Sequence, residues 1–459
     1  MIAVKSPRAA HVARSVPIRW VFLLLVAAAM VLPAITAAEQ VTFSVAGVDM
    51  NLRVMAYFGV AAVAAIFALP IVVRMDRRPT WLKLMLAMVA WSTLTGLMAQ
   101  QSPVEWLPTV VRFVLYFSAA TICYWFARSL RDRDHVEKIS RLLPLAFLAA
   151  AAIPAAAGVA ELIRGSAPVL NGAPRVSGSM PSHPVAFSLV LGLSALVTMG
   201  PAFLRGRKWG GILRWMAIAA LTALVFTTFT RLSIMLLVAS GAAVAALLPA
   251  TRRLRLARVA GAVVVGGAVV FLAQPTFEAR FTYAAPLSTV ISRPTSSAPP
   301  SAENGGWDID VDGSIAYRIM LTQRGLEYLS QSPIVGHGPG SFHRLFEAES
   351  GRARVAAHND ILSVAVEMGL LGLALYLLTL ASLAWALWPR RSTGILEADA
   401  LIIAALVALG AFNLGATIHN TMYFVEIQLP IWILVGTALG LREWTGSTNP
   451  SPTGAIAEP

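Results

Sequence analysis

The chain has 459 residues, of which 57% are hydrophobic and 13% charged, and its mean hydropathy is +0.70. Soluble domains carry about 25% charged residues, so a globule surrounded by water is excluded and a polytopic, all-α membrane protein is expected. Its 36 Lys and Arg outnumber its 23 Asp and Glu, a net charge of +13 that would suit nucleic acid if it were spread over one surface.

The basic residues are not spread in that way. Twelve apolar stretches of a length suited to a roughly 30 Å hydrocarbon core begin near Trp20, Val54, Trp81, Thr109, Leu142, Val185, Ile212, Leu232, Val259, Ile361, Ala400 and Phe424. Of the 36 basic residues, 24 fall at the termini and in alternate connections. The clusters are dense at Arg74, Arg77 and Arg78, at Arg205, Arg207 and Lys208, and at Arg252, Arg253 and Arg255. The positive-inside rule makes those connections and both termini cytoplasmic, and it removes nucleic acid as a partner in favour of the lipid bilayer.

Taken in chain order, the first stretch follows Lys5, Arg8, Arg14 and Arg19 and ends in "AITAAE". Those are marks of a signal peptide, but the apolar run is long for one, so a retained first span is expected. Cys123, the only cysteine, falls in the fourth span and excludes an intramolecular disulfide. Residues 1–459 read as one integral membrane unit. The connection "RGSAPVLNGAPRVSGSMPSHP" between spans five and six carries Arg175, and the tight turn "FTTFTRLSIM" between spans seven and eight carries Arg231.

Residues 275–357 form a large external loop between spans nine and ten. It opens with a low-complexity piece, "STVISRPTSSAPPSAENGGWDIDVDG". An amphipathic helix is expected over about 314–332, with Ile315, Ile319 or Met320, Leu326 and Leu329 on its apolar side and the outer membrane surface beneath it. "IVGHGPGSF" ends that helix in a turn where Gly336, Gly338 and Gly340 allow positive φ, and "HRLFEAES" reads as a shorter helix. Span ten opens on Asn359 and Asp360, both good N-cap types, which leaves His358 one residue before the helix at the water boundary. Residues 443–459 read as a disordered cytoplasmic tail.

Arginines on the side that should be poor in them carry information. Arg175, Arg231 and Arg318 all have access to the same bilayer face, and guanidinium groups bind phosphate through paired N–H donors at any physiological pH. Taken singly, each could merely anchor a span end. His358 could act as a general base, since an imidazole accepts a proton efficiently near neutrality, or it could serve only as a polar residue at the interface. Asp360 is a second candidate base, with helix capping as its alternative. Glu367, two turns into span ten, should face the bundle interior and either orient an arginine or pair for stability.

No metal site is expected: His183, His337, His343 and His419 also face outward, but they lie on separate loops with no HxH or HExxH spacing. The glycine turn lacks the Lys-Ser/Thr ending of a phosphate-binding P-loop. Asp308, Asp310 and Asp312 have the letters of a metal-bound nucleotide-sugar site but lie in the low-complexity piece.

"PIVGHGPGSF" followed by "AHNDILSVAVEMGLLG" resembles the signature of the O-antigen ligase and Wzy-type polymerase family, in which a Gly-x-Gly-x-Gly turn precedes His-Asn or His-Ser and a Glu-x-Gly-x-x-Gly helix. "APRVSGSMPSHPVAFSLVL", "FTRLS" and "YRIMLTQRGLEYLSQSP" resemble that family's earlier arginine elements, and the likeness covers roughly residues 170–385. The resemblance implies a multi-helix fold of the glycosyltransferase type-C class in the bacterial inner membrane. It also implies an inverting, metal-independent transfer, without a cofactor, of a glycan from undecaprenyl pyrophosphate to a glycan or glycolipid acceptor at the periplasmic face. On that reading Arg175, Arg231 and Arg318 hold the pyrophosphate and His358 is the base, supported by Asn359, Asp360, Glu367 and the three glycines. His337 stands where the family usually has a small or apolar residue and adds a second titratable group. The ligase reaction is the first expectation and the polymerase the second. A twelve-span transporter or lipid flippase is the rival from another class, disfavoured because the notable polar residues collect at one face and not at the midplane.

Overall fold

The computed structural model describes residues 18–35, 42–45, 48–75, 78–130, 132–167, 169–170, 173–174, 176–178, 184–202, 208–228, 230–247, 260–261, 264, 311–350, 356–390 and 392–447. Apolar runs rich in Leu, Ala, Val and Met favour helix, and in hydrocarbon only internally bonded backbone is tolerated. The described chain is accordingly almost wholly helical. Its helices are α1 (Ile18–Ile35), α2 (Leu52–Arg74), α3 (Thr80–Met98), α4 (Pro103–Arg128), α5 (Arg133–Arg164), α6 (Pro184–Ala202), α7 (Lys208–Thr227) and α8 (Arg231–Leu247). After these come α9 (Val311–Gln331), α10 (Ser341–Ser350), α11 (Asp360–Leu387), α12 (Leu396–Gly415) and α13 (Val425–Ser447). Two small antiparallel hairpins, Thr42–Val45 with Val48–Asn51 and Val169–Leu170 with Ala173–Pro174, interrupt the series.

Among the described residues, seven helices are long and apolar enough to cross a membrane: α2, α3, α4, α5, α11, α12 and α13. Shorter apolar helices occupy the places of spans one, six, seven and eight, within α1, α6, α7 and α8. The ninth expected span, near Val259, falls almost wholly outside the described residues.

The core is built on α4 and α13. Gly436 and Gly440 of α13 lie against the backbone of Ala120 and Tyr124 in α4, where any Cβ would collide. Small residues four apart let two membrane helices approach to backbone contact. Leu115, Ile122, Cys123 and Tyr124 of α4 are fully buried in consequence.

Helix α11 departs from regular geometry at Gly369, whose φ of 69° and ψ of −178° break the helix into two pieces. The break frees backbone groups that would otherwise bond along the helix, and four of them find partners outside it. His337 N donates to the Val366 carbonyl at 2.9 Å and Gly338 N to the Glu367 carbonyl at 2.8 Å. The Trp91 indole of α3 donates to the Met368 carbonyl at 2.9 Å. On the far side of the break, Leu370 N donates to the Pro333 carbonyl at 2.8 Å. The glycine turn is thus bonded, backbone to backbone, into a gap in a membrane helix. Two glycines are required there on steric grounds: a Cβ on Gly369 would strike the Ile334 carbonyl, and one on Gly336 would come within 2.5 Å of the Glu367 carbonyl.

Two expectations are corrected. The helix expected at 314–332 spans Val311–Gln331, with Leu321 and Tyr328 at the centre of its buried stripe; of the residues expected on its apolar side, Met320 and Leu329 pack against the same core, while Ile319 and Leu326 are exposed. Periodicity located the helix and part of its apolar side, but the surface it covers belongs to the protein and not to lipid. Gly325 sits against Leu362 of α11, and Leu321 and Tyr328 join Phe342, Phe346, Ala357, Leu362 and Val366 in a second small core. The tail expected to be disordered from residue 443 is helical to Ser447. Glu443 accepts a hydrogen bond from Tyr124 at 2.5 Å and Trp444 is buried, so the last turn is tied to α4. Residues 448–459 lie outside the described residues.

Candidate functional site

The connection between α12 and α13, the start of α11 and helix α9 converge at one end of the bundle. Asn359 caps α11, its Oδ1 accepting from Leu362 N at 3.0 Å. Asp360 does not cap. Its carboxylate is fully buried, with Oδ2 accepting from Thr421 Oγ1 at 3.0 Å and from Met422 N at 2.7 Å. Its own N–H donates to the Ala416 carbonyl at 2.7 Å. Asp360 is therefore a tie between α11 and the 416–424 connection, and its geometry suits holding that connection better than taking a proton from solvent.

His358 stands between these anchors with a φ of 52°. Histidine enters the left-handed region more readily than most side chains, yet such a conformation costs about 1–3 kcal/mol and persists only when the surroundings impose it. Its Nδ1 is buried and has no hydrogen-bond partner among the described residues. Burial holds its pKa below the ordinary 6.5, and the nearby positive charge of Arg318 pushes it in the same direction. Both effects favour the neutral imidazole, the form that accepts a proton. The Arg318 guanidinium, itself partly buried, is steadied through Nη1 by the Ile418 carbonyl at 3.0 Å.

Two further arginines were expected here. Arg231 begins α8, and the next residue, Leu232, lies beside Gly415, immediately before the connection that carries Ile418. Arg175 lies outside the described residues. The residues that follow it are fastened: Glu161, at the end of α5, accepts from Ser177 N at 2.8 Å, Gly178 N at 3.1 Å and Ser177 Oγ at 3.1 Å. Val176 N reaches the Thr227 carbonyl of α7 at 3.5 Å.

The remaining expected residues are structural in their contacts. Gly336, Gly338 and Gly340 all have positive φ, and Gly340 lies against the Glu105 carbonyl at the start of α4. His337 is held at three atoms, through its N–H, through its carbonyl, which accepts from Gln101 Nε2 at 2.6 Å, and through its ring Nε2, 2.8 Å from the Tyr328 carbonyl. That last contact makes Nε2 the protonated nitrogen, so His337 is a fixed donor in the turn. Glu367 is buried in α11, as its depth in a membrane helix requires.

In the sequence the 416–424 connection, "ATIHNTMYF", stands out only for His419, one of the outward-facing histidines considered for a metal. It supplies His419, whose ring lies 5.5 Å from that of His358, and Asn420, whose buried Oδ1 lacks a partner among the described residues. The available signal was a histidine and an amide together in a short connection between two apolar spans. No group of three or more His, Cys, Asp or Glu among the described residues could hold a metal ion.

An apolar helical bundle with a histidine, an arginine and a buried carboxylate gathered at one end defines a membrane protein with a polar site at its rim. Residues 216–377, from within α7 to well into α11, match the family model described as O-Antigen ligase. The match includes Arg231, Arg318, the glycine turn, His358 and Glu367; Arg175, Glu161 and the 416–424 connection lie outside it. No curated protein matches the chain.

Proposed function

We propose that the protein is an inverting, metal-independent glycosyltransferase that moves a glycan from undecaprenyl pyrophosphate to a sugar hydroxyl, as an O-antigen ligase does. The observation that carries this reading is His358: a half-buried imidazole kept neutral beside an arginine, at the mouth of a membrane helix and within the stretch that matches the O-antigen ligase family. In this reaction the acceptor hydroxyl oxygen attacks the anomeric carbon from the face opposite the pyrophosphate. The new glycosidic bond forms as the bond to the pyrophosphate oxygen breaks, and the configuration inverts. His358 takes the hydroxyl proton, and Arg318, Arg231 and Arg175 balance the charge that builds on the leaving pyrophosphate. A rim position suits this chemistry because one substrate is anchored in lipid and the other arrives from water.

On this reading the site faces the periplasm from the bacterial inner membrane, with both termini in the cytoplasm, and the distribution of basic residues supports that orientation.

The test is reconstitution of the full chain in vesicles with a lipid-linked glycan donor. Transfer of a preformed glycan to a separate acceptor is the ligase outcome. Elongation of the donor's own glycan is the polymerase outcome of the same chemistry. Movement of the lipid across the bilayer without transfer would overturn both.

A further inference from the structure

We infer that His419 is a positioning residue for His358, fixing the plane of its imidazole while itself remaining neutral; the inference rests on the proposed role of His358 as the base. Nothing in the hydrogen bonding explains how the His358 ring is oriented, since its Nδ1 has no partner among the described residues. What meets it is a ring. The His419 imidazole stands nearly perpendicular to it, at 84° and 5.5 Å between centroids, and His419 is itself met by the ring of Phe424 at 5.8 Å. An aromatic edge packed on a face at this distance favours one mutual orientation.

The platform beneath His419 is rigid. His419 N donates to the Gly415 carbonyl at 3.0 Å, and Thr421 N donates to the His419 carbonyl at 3.0 Å. Asp360 holds Thr421 and Met422, and the Tyr116 hydroxyl donates to the Met422 carbonyl at 3.1 Å. The connection is thereby tied to α4 and α11 at the position where it presents the ring.

Hydrogen bonding also fixes the tautomer of His419. Asn420 N donates to His419 Nδ1 at 2.9 Å, so that nitrogen is an acceptor and carries no proton. Protonating it would set two N–H groups against each other. With Arg318 already beside His358, a second cation would further disfavour proton uptake by the base. The Asn420 bond keeps that charge away while the ring stays in contact.

The test uses the full-length purified protein and its His419→Ala, His419→Phe and His419→Gln variants in lipid nanodiscs. Two readouts are taken: acylation of His358 by diethyl pyrocarbonate, followed by peptide mass spectrometry, and transfer kinetics. In His419→Ala, His358 is expected to acylate several-fold faster, and kcat to fall about 10- to 100-fold with KM for the lipid donor unchanged. His419→Phe, which restores a flat ring without titratable nitrogen, is expected to return both towards wild type.

An unchanged acylation rate in His419→Ala would overturn the inference whatever the activity. So would a rise in KM with kcat intact, or rescue by Gln but not by Phe, either of which would make His419 a substrate contact. Absence of glycan transfer by the wild-type protein would sink the proposed function instead, with the acylation readout still deciding whether His419 orients His358.

Discussion

The two ends of the bundle differ in the polar groups they leave buried without a partner. At the end where α4 and α13 finish, the buried carboxylate of Glu397 is paired, with Arg141 reaching both it and Glu137 at 3.0 Å, and the exposed Arg128 meets Glu443 at 3.4 Å. Asp399 accepts from Ser392 Oγ and Thr393 N. Exposed ion pairs occur at the other end as well, where Arg324 meets Glu327 and Glu349. At the end where those two helices begin, His358 Nδ1, Asp360 Oδ1, Asn420 Oδ1 and Gln101 Oε1 are buried without partners among the described residues. Elsewhere such orphans include indole and hydroxyl groups, but the imidazole, carboxylate and amide oxygens so placed all belong to this end. An unsatisfied buried polar group costs about 1–3 kcal/mol, and a cluster of them in a native structure needs a reason. A site that must present a proton acceptor and bind a polar substrate supplies one.

The contrast can be broken or sharpened by substitution. The largest effect is expected at the backbone lock beneath the site. Gly369→Val should drive a side chain into the Ile334 carbonyl and cost about 4 kcal/mol or more, seen as loss of a folded, monodisperse protein on solubilisation. Arg318→Gln should leave folding intact but lower transfer about 10²- to 10³-fold. It should also shift the pH profile. The limb on the acid side reports loss of the neutral His358 imidazole, whose pKa is held below 6.5 by burial and by the Arg318 charge. Removing that charge lets the pKa rise, so activity should be lost at a higher pH in the variant than in the wild type.

Asp360 separates structure from chemistry at the same end. Asp360→Ala should cost about 1–3 kcal/mol in thermal stability, because Thr421 and Met422 lose their acceptor. Asp360→Asn keeps an acceptor oxygen and should retain most activity, and loss of all transfer in this variant at wild-type stability would restore Asp360 as a candidate base. The smallest effect is expected at the paired end. Arg128→Ala removes the partner of Glu443 in an exposed pair and should cost about 1 kcal/mol or less with kcat unchanged.

Local chemistry was legible from the sequence. Asn359 reads as a helix cap and is one, the glycines of "GHGPG" read as a positive-φ turn and form one, and all but one of the twelve apolar stretches is a described helix. What could not be read were partners set by distant chain. The Trp91 indole and the Gln101 amide reach the lock from 277 and 236 residues away. No local pattern announces that an indole will serve a carbonyl freed by a glycine. Only part of the buried stripe of α9 was legible for a related reason: hydropathy cannot tell a lipid surface from α11. His419 reads in the sequence only as one of several outward-facing histidines, because it acquires meaning only when Asp360 draws the 416–424 connection against the start of α11.

The central claim is that His358 takes the proton from the attacking hydroxyl, and one experiment addresses it directly. Transfer from a polyprenyl-pyrophosphate-linked glycan would be measured for wild type and His358→Ala, both purified to the same monodisperse state and reconstituted in the same lipid. The account predicts a fall in kcat of about 10²- to 10⁴-fold with KM for the donor little changed. Transfer at the wild-type rate by His358→Ala would contradict it.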